Sequence, residues 1–425
     1  MIPLDEARAF VLGSCGALPA RPVALDDALG CVCASPVVAT EPVPPFANSS
    51  MDGYAVRAVD LEGASPAAAV HLEVVGTVLA GSPGHPVVGP GEAVRIMTGA
   101  PLPPGADAVC MLEVCVTGSD GSVVVIDGAV DPGSFIRHVG QDVAVGDTVV
   151  EAGVGLTPAH LGSLANQGAT EVVVHPRPRI GVLSTGDELV EAGLPLPPGG
   201  IRDANRHSLL ALVRQQGWDP VDLGIVGDDA RAVAGVLDDA GTRCDAVLTT
   251  GGVSVGDADV VKTVLRERCG GTMRWMQVAI RPAKPFAFGV LEASGTPVFG
   301  LPGNPVSALV SFELLVRPAV RRMAGHPGLE RLTVPARLVR PLDRRPDGKT
   351  HFVRSVVSLD DGGDWWVRPL VGQESHQLSV MAAANALVEL PDGEGLDRGH
   401  VVRVMVIAPD RLEVVPDPDR VGAPA

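Results

Sequence analysis

The sequence predicts a multidomain α/β plus β fold built around a central doubly wound parallel α/β domain. Three observations lead there. Residues 179–325 alternate apolar strand runs with helical patterns, the signature of parallel βαβ units. Residues from about 46 to 142 are short apolar runs broken by Gly and Pro, which reads as an all-β module. From 331 onward the β pattern returns in TVPARLVRPL, HFVRSVVSL, DWWVRPLV, ALVEL and HVVRVMVI, a small barrel or sandwich.

Taken in order, the chain opens with helical spacing over 5–12, and 25–31 predicts a second short helix. Four prolines in 36–47 rule out a regular helix there. The polar turn NSSMDGYAV then leads into the β module. At 157–168, TPAHLGSLANQG predicts a helix with Thr157 as N-cap, Pro158 in the first turn and Gly168 past its end. HPRPR reads as a hinge. The α/β strands are RIGVLST, PVDLGIV, DAVLTT, a pair flanking Gly289, and TPVFG. Helices are expected over about 205–216, 229–240, 258–268 and 306–324. Leu209, Leu212 and Val213 form one face of the first, and Val233, Val236 and Leu237 one face of the second. Pro318 is expected to end or kink the last helix. The closing PDPDRVGAPA reads as a loose tail.

Hydrophobic residues make up 46% of the chain but aromatics only 3%, so the cores must be built from Val, Leu and Ala. A formal net charge of −17 argues against a general binder of nucleic acid or anionic membrane. No run resembles a signal peptide or a membrane span. Seven cysteines without CxxC spacing predict reduced thiols in a cytoplasmic setting, not a disulfide framework or zinc site. Of 33 basic residues only Lys262, Lys284 and Lys349 are lysines.

Three loops should meet at the C-terminal edge of the α/β sheet, where open sheets of this class bind ligands. They are STGDEL at 184–189, TTGGVSVGDAD at 249–259 and GLPGNPVS at 300–307. Gly251, Gly252 and Gly256 permit close backbone approach, and the following helix start offers N–H groups to an anion. Pro305 suits a first helical position, and Ser307 can donate to a phosphate. Any one of these is an ordinary turn; the three together are far more specific. Asp187, Glu188, Asp257 and Asp259 form a candidate divalent-cation site, since Mg²⁺ takes one or two carboxylates and completes its shell with water and phosphate oxygens. Helix capping is the competing reading for Asp257 and for Asp228. RPAKP at 281–285 turns Arg281 and Lys284 toward an anion or protects a solvated edge. Asp52-Gly53, Thr98-Gly99 and Gln141-Asp142 read in isolation as turns. His138, His160, His326 and His376 have no metal-ligand spacing. The run GGVSVG lacks the Gly-Lys-Ser/Thr ending of a Walker A loop.

NSSMDGYAVR, RIMTGAP, STGDEL, GGVSVGDAD, PFAFG and GLPGNPVSA occur in this order. Through them the chain, from about residue 4 to 415, closely resembles the molybdopterin molybdenumtransferase family, MoeA and the equivalent domain of gephyrin. The resemblance implies a split helical N-terminal part (1–45 and 143–176), an inserted β module (46–142) and an α/β domain of the molybdopterin adenylyltransferase type (177–326). A C-terminal β-barrel (327–415) and a tail (416–425) complete it. It implies a cytoplasmic enzyme of molybdenum cofactor biosynthesis that inserts molybdate into adenylylated molybdopterin and releases AMP with Mg²⁺. It also implies a homodimer whose cleft combines the α/β domain of one subunit with the β module of the other. Partner classes are an adenylyltransferase and molybdoenzymes, with no nucleic acid and no membrane. Carried onto matching positions, the catalytic set is Asp52, Thr98, Asp142, Glu188, Asp228 and Asp259, with Glu188, Asp257 and Asp259 on the metal. Ser184, Thr185, Gly186, Gly251, Gly252, Ser254, Pro302, Gly303, Asn304, Pro305 and Ser307 would hold phosphate and pterin. Arg281, Lys284 and Arg354, with Ser375, would attract molybdate and the ligand's anionic groups.

The family often has lysine where this chain has Gln277 and Arg281, PGKP where it has Ala283 in PAKP, and a more basic run where it reads FIRHVGQD. Two rival functions remain open at this level. An adenylyltransferase would make the adenylylated pterin from ATP, against which the β module and barrel count. A non-catalytic pterin carrier would bind without releasing AMP, against which the intact acidic set counts.

Overall fold

Strand β1, Arg179–Thr185, is buried along its whole length after Arg179 and lies inside a six-stranded sheet. Its neighbours are β2, Asp219–Val226, and β3, Ala246–Thr250, both parallel to it. Beyond β3 come β6, Pro297–Leu301, also parallel, then β5, Pro285–Val290, and β4, Arg274–Gln277, as an antiparallel edge. The order is therefore β2-β1-β3-β6-β5-β4. Helices α1, Ala204–Gln215, α2, Ala230–Arg243, and α3, Val260–Cys269, fall within three residues of their expected spans. The alternation of β1 sorts the two layers. Ile180 and Val182 pack with Leu209 and Val213 of α1. Leu183 packs on the opposite face with Val233 and Leu237 of α2 and Val261 and Leu265 of α3. Each such buried side chain contributes roughly 1.5–3 kcal/mol. The sheet is doubly wound as expected. The aromatics are concentrated: Phe286, Phe288, Phe299, Phe312 and Phe352 share one core, while the barrel core is aliphatic.

Two expectations for this domain need correction. Gly289 does not separate a pair of strands; it lies inside β5, where a Cβ would stand 2.7 Å from the Met273 sulfur. Pro318 does not end the last helix. Helix α4 runs Pro305–Ser311, widens into a π turn at Phe312–Val316 and continues as Arg317–Met323. Proline deprives the carbonyl four residues earlier of its helical N–H. That carbonyl belongs to Leu314, and Arg8 Nε donates to it at 3.2 Å. Arg8 sits on the N-terminal helix Leu4–Ser14, whose Ala7 and Val11 pack into the same core. The second helix expected at 25–31 is only a 3₁₀ turn, Leu25–Asp27; Gly30, at φ +76°, turns the chain into the strand Val32–Cys33.

The C-terminal strands are β7, Thr333–Leu338, β8, Thr350–Leu359, β9, Trp365–Pro369, β10, Ala386–Leu390, and β11, Val401–Val406. Pairing runs β8-β9-β7-β11-β10 and returns to β8, which makes a closed barrel, not a sandwich. The short strand Ile280–Arg281 pairs in parallel with Thr350 and His351 of β8.

The computed structural model describes residues 1–65, 67–82, 85–117, 123–126, 128–252 and 260–416. The chain forms two compact units. Met1–Val23, Gly30–Ala34 and Val173–Ala425 form the first, with the α/β sheet and the barrel. Ala24–Leu29 and Ser35–Val172 form the second. In the second unit the strands Gly53–Val56, Val70–Val78, Glu92–Ile96, Ala108–Met111, Cys115–Thr117 and Val123–Ile126 make one six-stranded sheet. The helix Pro158–Asn166 follows its expected signals, with Thr157 and His160 forming a capping box and Gly168 at φ +70° beyond its end. Among the described residues no helix is long and apolar enough to cross a membrane.

Candidate active site

Strand order reverses across β1, so the loops after β1 and β3 diverge and open a crevice. A cavity of about 480 Å³ occupies it, lined by Thr185, Glu188, Asp203, Asn205, Thr250, Gly251, Gly303, Asn304 and Pro305 among others. That volume falls within the range of small-molecule sites. Glycine is required at three points. Gly186, at φ +143°, lets the Glu188 carboxylate fold back against the backbone where a Cβ would collide with it. Gly251, at φ +92°, brings the β3 loop so close to β1 that a Cβ would lie 2.6 Å from the Thr185 carbonyl oxygen. Gly252, at φ +68°, leaves room for Val261.

Sequence reasoning missed Asn205. Its Nδ2 donates to Thr250 Oγ1 at 3.0 Å and to the Gly303 carbonyl at 2.8 Å, which ties the β3 loop to the β6 loop across the cavity. The only local signal was Asp203, the N-cap of α1, which places Asn205 in the first turn. Ser184, by contrast, is fully buried and donates to Asp203 Oδ1 at 3.0 Å, so it supports the wall from behind. Asp203 also pairs with buried Arg206 at 2.9 Å. Thr185 Oγ1 donates to the Thr250 carbonyl at 3.2 Å.

The acidic residues separate by role. Asp187 Oδ1 accepts the Asp228 N–H at 3.0 Å. Asp229, not Asp228, caps α2 by accepting the Ala232 N–H at 2.8 Å. Capping therefore does not account for the Asp228 carboxylate, which is exposed. Glu188 is exposed and lines the cavity. Ser254, Gly256, Asp257 and Asp259 lie outside the described residues. Among the described residues no cluster of three His, Cys, Asp or Glu side chains is placed to hold a metal ion. One carboxylate beside an open, phosphate-sized space still suits Mg²⁺, which fills its remaining positions from water and ligand oxygens.

On the far side of the loop 302–304 lies a second cavity of about 240 Å³. Arg281, Lys284 and Lys349 bring positive charge to it, partly offset by Glu374, 3.7 Å from Arg281, and by Asp347, which pairs with Lys349 at 2.7 Å; Pro302, Asn304, Ser307 and Ser375 line it too. Asn304 thus borders both cavities. The Ser375 carbonyl accepts the Val306 N–H at 3.1 Å, joining the start of α4 to the segment after β9. Pairing of Ile280–Arg281 onto β8 places Arg281 beside a third cavity of about 450 Å³, which Arg354 also lines. Arg354 is 1% exposed. Its Nη2 reaches the Gly372 and Glu374 carbonyls only at 3.4 and 3.3 Å, and its Nε has no partner. Burial pulls its pKa down to about 10, and Arg281 pushes the same way while Glu374 opposes. An incompletely paired buried cation is unfavourable unless an anion joins it. Ala283 in the same loop adopts φ +81° while buried, a conformation an L-residue rarely takes. Gln277 lies exposed at the end of β4, with its backbone carbonyl bonded to the Ile2 N–H.

In the second unit, Asp52 Oδ1 accepts two hydrogen bonds from Thr98, from its N–H and its Oγ1, both at 2.7 Å. These bonds, with a smaller contribution from Arg95, hold the exposed carboxyl below its ordinary 3.8. Asp52 is thus more than a turn residue: it forms an ionised, oriented pair with Thr98. Asp142 is exposed, and its N–H donates to the Val43 carbonyl at 2.9 Å. His326 stays a neutral imidazole near neutrality, because burial, with help from Arg321 and Arg317, lowers its pKa to about 4.

Three family models match the chain in succession. They are the MoeA N-terminal region (domain I and II) over residues 2–168, the probable molybdopterin binding domain over 181–322, and the MoeA C-terminal region (domain IV) over 336–407. A molybdopterin molybdenumtransferase of Haemophilus influenzae is 38% identical over 409 residues, covering 95% of this chain and 98% of its own. Molybdopterin molybdenumtransferase 2 of Mycobacterium tuberculosis is 41% identical over 374 residues, covering 87% and 90%. A solved molybdopterin biosynthesis MoeA protein from Pyrococcus horikoshii superposes with a TM-score of 0.77 at 32% identity, covering 96% of this chain and 99% of that one. With the fold, the loops at the switch point and relatives matched over almost their whole length, the chain belongs to the molybdopterin molybdenumtransferase (MoeA) family and is an enzyme of molybdenum cofactor biosynthesis.

Proposed function

We propose that this enzyme transfers molybdate into adenylylated molybdopterin and releases AMP, with Mg²⁺ as the divalent ion. The observation that carries the reading is the pair of cavities that share Asn304, one lined by the exposed Glu188 and one by Arg281, Lys284 and Lys349. The larger suits a pterin phosphate, with Gly251, Gly252 and Gly303 giving close approach and Asn205 fixing the two loops. Its Glu188 would hold Mg²⁺, together with Asp257 and Asp259; the bound ion would neutralise charge on the phosphate oxygens. The smaller cavity suits a tetrahedral oxyanion. Molybdate is an anion, so Arg281 and Lys284, which line that cavity, are its natural partners and the carboxylates are not, while Arg354 adds positive charge from the neighbouring cavity that Arg281 also lines. Asp52, kept ionised by Thr98, would orient or deprotonate the water that opens the phosphoanhydride. The four-part domain organisation, the cytoplasmic setting and a homodimer with a shared cleft belong to the same proposal.

The test is AMP release from purified adenylylated molybdopterin with Mg²⁺, with and without molybdate. Molybdate-dependent AMP release with cofactor formation supports the transferase. Tight binding of intact ligand without AMP release favours the carrier, and pyrophosphate produced from ATP favours the adenylyltransferase.

A further inference from the structure

Cys110 and Cys115 stand apart from the chain's other thiols. Cys110 lies on the strand Ala108–Met111 and is fully buried; Cys115 begins the strand Cys115–Thr117 and is partly exposed. A 3₁₀ turn, Leu112–Val114, connects the two strands and brings the sulfurs to 3.7 Å. A disulfide needs them at about 2 Å, so the contact has to shorten for the bond to form. The turn is also linked to the proposed site, because the Leu112 N–H donates to the Asp52 carbonyl at 3.1 Å and Tyr54 sits directly across from Cys110.

We propose that Cys110 and Cys115 form a reversible thiol-oxidation site whose co-substrate is a low-molecular-weight disulfide. The more exposed Cys115 thiolate attacks one sulfur of RSSR, forming a Cys115–S–S–R mixed disulfide and expelling RS⁻. The Cys110 sulfur, already in contact, attacks Cys115, forming the Cys110–Cys115 bond and expelling the second RS⁻. The two thiol protons end on two RSH, so the protein loses two electrons and RSSR gains them. The Cys115 S–H donates to Cys110, which holds the Cys110 thiol below its ordinary value and pushes that of Cys115 up, so the first ionisation belongs to the pair and a proton shift along the contact puts the charge on the exposed Cys115. The other five cysteines are buried, and burial raises the thiol pKa of Cys15, Cys31, Cys244 and Cys269. They should not react in the folded chain.

The experiment treats the folded full-length chain with oxidised glutathione, alkylates remaining thiols in denaturant and maps cysteines by mass spectrometry. The expected product is about 2 Da lighter across 110–115, with its two halves still joined after cleavage at Glu113. Cys110→Ser should stop at a stable glutathione adduct on Cys115, and Cys115→Ser should give neither adduct nor bridge. The proposal is overturned if the unmutated folded chain accumulates the Cys115 adduct without bridging. It is equally overturned if both thiols stay unmodified until urea is added, since then their contact is only packing.

Discussion

At the scale of single residues, the account rests on side chains whose environments are set by one or two neighbours. Thr98 is the reason Asp52 stays ionised, so Thr98→Val should move the Asp52 carboxyl upward toward its ordinary 3.8, read by NMR titration. The sign follows from the direction of the shift. A carboxyl lowered by folding stabilises the chain above its unfolded value and loses that contribution as pH falls through its folded value. The mutant should therefore be less stable than wild type near neutrality, and the difference between the two should shrink as pH falls through the folded value of Asp52. Ala283 makes a second test possible. Glycine at that position would relieve the left-handed alanine but loosen the unfolded chain, so Ala283→Gly should change stability by less than about 1 kcal/mol. A β-branched residue has no such tolerance, and Ala283→Val should cost about 2 kcal/mol or more in urea unfolding.

At the scale of elements, the start of α2 distinguishes a cap from a functional carboxylate. Asp229→Ala removes the bond to the Ala232 N–H and should cost about 1 kcal/mol in chemical denaturation. Asp228→Ala should leave stability within about 0.5 kcal/mol yet reduce AMP release. Equal losses of stability from both substitutions would contradict this division. The sequence made the helices legible because their apolar faces keep a 3.6-residue period, and Thr157 and Gly168 marked both ends of one helix. Helix α4 runs past Pro318, one of the two outcomes the sequence left open being excluded, because the rescue is tertiary: Arg8, 306 positions away, satisfies the carbonyl that proline orphans. The expected helix at 25–31 failed for a local reason, since Gly30 takes a positive φ and ends the turn.

At the scale of the whole molecule, the meeting of Glu188, Gly251 and Gly303 at one cavity was readable from the sequence because their loops follow strands in a predictable α/β order. Asn205 and the unpaired Arg354 were not, because their meaning lies in partners that only the folded chain supplies. The proposed shared cleft has its own test. Mixed Asp52→Ala and Glu188→Ala subunits should recover about a quarter of wild-type activity after random exchange, since half the dimers would carry one intact site of two. No recovery would mean that each site is built within one chain. The central claim, that the cationic cavity receives molybdate, is tested most directly by titrating molybdate into the AMP-release reaction of wild type and Lys284→Met, since Lys284 lines that cavity. Half-saturation by molybdate should rise roughly tenfold or more in the mutant, the loss expected for a charge-assisted contact, with the half-saturation for adenylylated molybdopterin unchanged. An unaltered molybdate requirement in a folded Lys284→Met enzyme would contradict the assignment of that cavity.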